Sequence, residues 1–165
     1  MYSKQFRQAK IDEYQSWKDK EVFDLVDLRE VYCRNFVTGR WVLTIKRDRD
    51  GNFLKCKARW VLRGFQDKQH FDQHTDSPSA TRPGFRLVCQ HAANSGWDVG
   101  RVDLKTAFLQ GEEYDPTRDV ICQLPPKANL PSHIGARLKK PAYGMNDAPR
   151  RWWNRVDTSL LSYIT

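Results

Sequence analysis

The residues predict an α+β domain: a mainly antiparallel sheet with flanking helices, cut short at its C-terminal end. Three observations carry this expectation. Helical periodicity returns at three separated places, and strict period-two alternation surrounds one turn-rich segment. Helices and strands interleave without a regular βαβ rhythm, which disfavours a doubly wound parallel sheet. The chain has 165 residues, 39% of them apolar, with 6 Trp, 6 Tyr and 8 Phe. That mass suits one domain with a real core and argues against disorder. No apolar run approaches the roughly 20 residues of a membrane span. Met1 is followed by polar, mixed-charge residues rather than by a secretory leader.

Residues 3–19 read as a helix, with Phe6, Tyr14 and Trp17 near one stripe and Ser3 at the cap position. Residues 40–64 read as a hairpin, turning at Asp48-Arg49-Asp50-Gly51-Asn52. In its second strand Leu54, Cys56, Ala58, Trp60 and Leu62 share one face, while Lys55, Lys57, Arg59 and Arg63 share the other. Residues 66–80 are polar and read as loop. Helical spacing resumes at Phe85, Val88, Cys89, Ala92 and Ala93, with Gly96 as the stop. Trp97 to Leu104 then reads as a short strand ending near Asp103, and Asp119 to Leu124 as another. From Ala148 onward a last helix places Trp153, Val156, Leu160 and Ile164 on one face, with Pro149 in its first turn. It runs to Thr165 without a stop signal, so the chain reads as truncated.

Charge is unevenly distributed. There are 28 Lys and Arg against 20 Asp and Glu, and residues 40–68 hold nine bases against three acids. Residues 98–120 reverse the balance at six acids to three bases, and residues 137–155 restore it at six bases to one acid, Asp147. Two basic segments around an acidic one point to a polyanion held near a cation site, with plain solvated charge as the alternative. At a predicted strand end, Asp103 is placed to hold a hard divalent cation, though a capping Asp has the same position. His70 and His74, four apart beside Asp72 and Asp76, form at most half a metal site. The four cysteines are widely spaced, without a C-x-x-C pair, which fits a reducing setting. The common phosphate-binding loops and the serine nucleophile elbow are absent.

RWVLTIKRDRDGNFLKCKARWVLRGF (40–65), SPSATRPGFRLV (77–88), DLKTAFLQGE (103–112) and LKKPAYGMNDAPRRW (138–152) occur in order. Together they resemble the reverse transcriptase of copia-type LTR retrotransposons, from about Trp17 to the end. The resemblance implies a right-hand polymerase: residues 17–97 as fingers and connection, residues 98–165 as part of the palm, all in one partial domain. It implies an RNA-directed DNA polymerase that extends a primer on an RNA or DNA template from deoxynucleoside triphosphates, by two-metal phosphoryl transfer with Mg²⁺. Asp103 would be the first metal-binding aspartate, with the Leu104 carbonyl as a further ligand. Lys46, Lys57 and Arg59 would meet the triphosphate, Phe108 would lie under the incoming sugar, and Tyr143 would border the nucleotide. Arg63, Arg150 and Arg151 would contact nucleic acid. The rest of the polyprotein, with the remaining palm, thumb and RNase H, would be a partner. The setting would be intracellular, cytoplasmic or nuclear, or inside virus-like particles.

Departures from that pattern accompany the matches. The family needs an aromatic-x-Asp-Asp motif, and this sequence has no Asp-Asp pair. Leu62 stands where Ala is common, Ser79 where Val is usual, and Asn146-Asp147 where Lys-Gln is common. The acid at Asp147 is expected to weaken contact with nucleic acid. The chain alone is therefore expected to be catalytically inactive. The rival reading is a non-catalytic nucleic-acid-binding remnant, in which Asp103 has no role.

Overall fold

The computed structural model describes residues 2–32, 35–69, 74–126 and 130–163. His70 and Asp72 of the half metal site lie outside the described residues. Helix α1 (Ser3–Asp19) buries Glu13 and Trp17 and packs on the hairpin's second strand. Ser3 is its first helical residue rather than its cap. Tyr2 takes the cap position without a side-chain bond, and its ring stacks on Phe53 at 5.0 Å.

The hairpin forms as expected. Its strands follow β1 (Phe23–Asp27) and β2 (Phe36–Val37) in the chain and are β3 (Gly39–Arg47) and β4 (Phe53–Leu62). They pair antiparallel, with Trp41 opposite Trp60, Val42 opposite Arg59, Thr44 opposite Lys57 and Lys46 opposite Lys55. The Asp48 carboxylate closes the turn by accepting from the amides of Asp50 (3.0 Å) and Asn52 (2.8 Å). On the apolar face Ala58, Trp60 and Leu62 are buried, but Leu54 is exposed. Core packing thus reaches the base of the ribbon and not its tip.

A second sheet takes the order β1, β6 (Ile134–Leu138), β5 (Ile121–Cys122), β2. Its first two pairings are antiparallel and the last, β5 with β2, is parallel. Of the run expected from Asp119 to Leu124 only two residues pair. Val22, Val37, Val120, Cys122, Ala136 and Leu138 join Trp17, Trp60, Leu62 and Leu109 in one core.

Helix α2 (Arg82–Ser95) has the caps its sequence announces: the Thr81 hydroxyl accepts from the Gly84 amide, and Gly96 adopts φ 65°. Its apolar residues are nevertheless uncovered. Only Ala92 is buried, and Phe85 is 62% exposed. The strand expected over 97–104 is absent. A strand exists by pairing, and no described strand bonds this segment, so Trp97, Val99 and Leu104 face outward and Val102 is 82% exposed. Helix α3 (Ala148–Leu161) begins as expected, with Pro149 in its first turn, and ends four residues before Thr165. Trp153 and Val156 are half-buried, Leu160 is exposed, and Ile164 lies outside the described residues. Among the described residues no helix is long and apolar enough to cross a membrane.

Candidate functional site

Cross-strand partners share a face of a ribbon, so the β3–β4 register gathers Lys46, Lys55, Lys57 and Arg59 on one side. Like charges so placed repel. Burial, then Arg59, Lys46 and Lys55 hold the Lys57 ammonium below the usual lysine range. An arrangement that costs stability in this way is suited to an anionic ligand, which would relieve the repulsion.

The base of the ribbon is fastened to the turn at Tyr143-Gly144. The Leu62 amide donates to the Tyr143 carbonyl at 2.7 Å, and the Gly64 amide to the Gly144 carbonyl at 3.2 Å. Two glycines permit this approach. A Cβ on Gly144 would lie 2.1 Å from the Leu62 carbonyl oxygen, at φ 90°, and one on Gly64 would lie 2.3 Å from the Gly144 oxygen. The fastening brings three expected site residues together. The Arg59 guanidinium stands 5.5 Å from the centre of the Tyr143 ring, and that ring meets Phe108 edge-on at 6.1 Å. Phe108 sits in a short 3₁₀ turn, Ala107–Gln110, anchored by the fully buried Leu109.

Asp103 is exposed in the unpaired segment, and Leu104 borders an open cavity of about 530 Å³ that Leu109, Trp152 and Val156 also line. The rigid strand end expected to hold the Asp103 carboxylate is not formed. Among the described residues no three His, Cys, Asp or Glu side chains gather as a cation site. One carboxylate does not satisfy the several oxygens magnesium requires, so the described residues do not by themselves fit the ion.

The expected nucleic-acid arginines all have partners within the chain. Arg63 donates to the Thr38 hydroxyl at 3.1 Å. Arg150 donates to Asp76 at 2.9 Å and covers the Trp153 ring at 4.7 Å. Arg151 donates to Asp147 at 3.1 Å and to the Glu113 carbonyl at 3.0 Å, above the Tyr114 ring.

A family profile described as Reverse transcriptase (RNA-dependent DNA polymerase) matches residues 20–164. The chain belongs to the reverse transcriptase family. It is 29% identical, over 96% of its length, to the Retrovirus-related Pol polyprotein from transposon TNT 1-94 of Nicotiana tabacum. To the Pol polyproteins from transposons RE2 and RE1 of Arabidopsis thaliana it is 33% and 32% identical, over 74% of its length. The chain spans 12% of the first relative and 8% of the other two. No solved structure matches it.

Against the reverse transcriptase pattern the acid at Asp147 finds a structural explanation. It is 2% exposed at the start of α3 and faces inward. Its carboxylate accepts from Arg151 and from the Tyr114 hydroxyl at 3.3 Å, and lies 3.7 Å from Arg118. Arg118 in turn donates to both oxygens of Asp67, which also accepts from the Asn35 side-chain Nδ2 at 2.8 Å. Burial works to raise the Asp67 carboxyl, but these donors outweigh it and hold the group below the usual range. The expectation that Asp147 confronts nucleic acid is therefore corrected: it is a buried counterion. This network, and Glu13 on α1, were not legible as site residues. Glu13 did leave a signal, a charged residue on the same helical stripe as Trp17, four positions on.

Proposed function

We propose that this chain forms the triphosphate-binding part of a copia-type retrotransposon RNA-directed DNA polymerase, with residues 17–97 as fingers and connection and 98–165 as part of the palm. The observation that carries this is the fastening of a four-cation ribbon face to Tyr143 and Phe108 through Gly64 and Gly144. In this reading the primer 3′-oxygen attacks the α-phosphorus of a deoxynucleoside triphosphate and pyrophosphate leaves. Lys46, Lys57 and Arg59 meet the phosphate oxygens, where negative charge builds in the transition state. Phe108 lies under the sugar and rejects a 2′-hydroxyl by its bulk, while Tyr143 steadies both the ring and Arg59. Arg63 and Arg150 hold template or primer backbone. The exposed Asp76 of the Arg150 pair is a weak competitor that a phosphate can replace. Arg151, engaged with Asp147, orients α3 beneath them.

Asp103 and the Leu104 carbonyl enter as metal ligands only when further carboxylates join them from the remainder of a Pol polyprotein, so the 165 residues alone are inactive. The same remainder covers the apolar surface of α2 and residues 97–104. In a full-length polyprotein, Asp103→Asn is expected to abolish primer elongation while leaving primer–template affinity unchanged. Elongation that survives the substitution would overturn the reading. A second reading, a non-catalytic nucleic-acid-binding remnant, is favoured by one observation: the cationic face is built while, among the described residues, Asp103 belongs to no group of three ligands that could hold a metal ion. It expects Asp103→Asn to change nothing.

A further inference from the structure

At the edge of β4 that faces away from β3, beside the cationic face of the ribbon, lies a carboxylate of opposite sign. Glu13 belongs to α1, which precedes the residues matched by the reverse transcriptase profile. It is 8% exposed. One oxygen, Oε1, accepts both of its hydrogen bonds, from the Trp17 indole at 3.2 Å and from the Trp60 amide at 3.1 Å. Trp60 follows Arg59 directly, so the acid sits at the strand backbone beside the cations. Its charge acts on Arg59 and Lys57 across the α1–β4 contact, and on the Tyr143 hydroxyl from the turn. A glutamine would satisfy both bonds through the same oxygen and would avoid burying a charge. The hydrogen bonds therefore do not account for an acid here, and the property left to explain is its negative charge.

We propose that Glu13 is a positioning residue, a fixed counter-charge that holds Arg59 and Lys57 together in the empty site and competes with the phosphates of the incoming ligand. This rests on reading the ribbon face as the triphosphate site. The acid offsets the mutual repulsion of Lys46, Lys55, Lys57 and Arg59 when no ligand is present, and opposes the ligand's charge when one arrives. Helix α1 thereby sets how tightly the site grips an anion, although it touches none.

The test uses inorganic tripolyphosphate titrated calorimetrically into the 165-residue chain. Glu13→Gln keeps both hydrogen bonds and removes the charge. It is expected to bind tripolyphosphate about threefold to tenfold more tightly, with an unfolding midpoint equal to or above wild type. Affinity equal to wild type would overturn the role of Glu13. Arg59→Ala separates the two ideas: it is expected to weaken binding, and an Arg59→Ala chain that binds as wild type does would overturn the site reading itself. A measurement on the unaltered chain covers the case of a Glu13→Gln variant that does not fold. By reciprocity, bound tripolyphosphate must make Glu13 harder to ionise, so its side-chain carboxyl carbon, followed by NMR, should titrate at higher pH with the anion than without it. A Glu13 titration that the anion leaves in place would overturn the proposal.

Discussion

Asp147 stands among basic residues in the sequence, yet its carboxylate is enclosed by Arg118, Arg151 and Tyr114. Removing one partner of a buried ionic group leaves the others uncompensated and costs about 3–5 kcal/mol. Asp147→Ala is expected to lose stability on that scale in urea unfolding, and to leave the salt dependence of nucleic-acid binding as it was. An unaltered unfolding curve would return Asp147 to the surface. The paired Asp67 gives the molecule an acid limb. Its folded pKa lies below the ordinary aspartate value of about 3.9, so its contribution is present above that value and is lost as pH falls through the folded one. The unfolding midpoint should fall below about pH 4, and Asp67→Asn should flatten that fall. Glu13 has the opposite sign. Burial raises it despite the bonds from Trp60 and Trp17, so its contribution is present below the ordinary glutamate value and is lost as pH rises through the folded one. At this scale the shared face of Lys57 and Arg59 could be read from alternation alone. The Arg118–Asp67–Asp147 cluster could not, because its members are far apart in sequence and no local pattern says which charges will meet.

Among the elements, the ribbon and its fastening are the most specified. Gly144 holds a left-handed φ against the Leu62 carbonyl, where an alanine has neither the conformation nor the room. Gly144→Ala is expected to cost about 3 kcal/mol and to speed exchange of the Leu62 amide, which donates across that seam. Helix α2 is the counterexample. With caps at both ends but only Ala92 buried, it adds little to the core, so Phe85→Ser and Val88→Ser should each move global stability by no more than about 0.5 kcal/mol. The three helices and the hairpin were legible because each declares itself through its own period, caps or turn. Strands β1, β2 and β6 were not, being five residues or fewer and stabilised by partners remote in the chain. The segment 97–104 failed in the other direction: its residues suit a strand, but pairing is a property of two segments and here the second is missing from the described residues.

Across the whole molecule the two faces differ in kind. The ribbon gathers cations on one face, and α2 with residues 97–104 carries uncovered apolar groups. The first should give nucleic-acid binding that falls steeply with salt, and Lys57→Ala should reduce the logarithmic slope by about 0.7–0.9 if one phosphate contact is lost. The second should make the isolated chain associate and bind a hydrophobic dye, because an apolar patch of this extent is seldom left in water. The order of the four-stranded sheet also bears on how the chain is made. Strand β1 emerges from the ribosome more than a hundred residues before its partner β6, and Phe23 meets Leu138. At elongation rates of about 5–20 residues per second, β1 waits several seconds with an open edge before its mate exists. The β3–β4 hairpin needs no such delay, so it and α1 are ready first and offer the collapsed surface against which the late sheet closes.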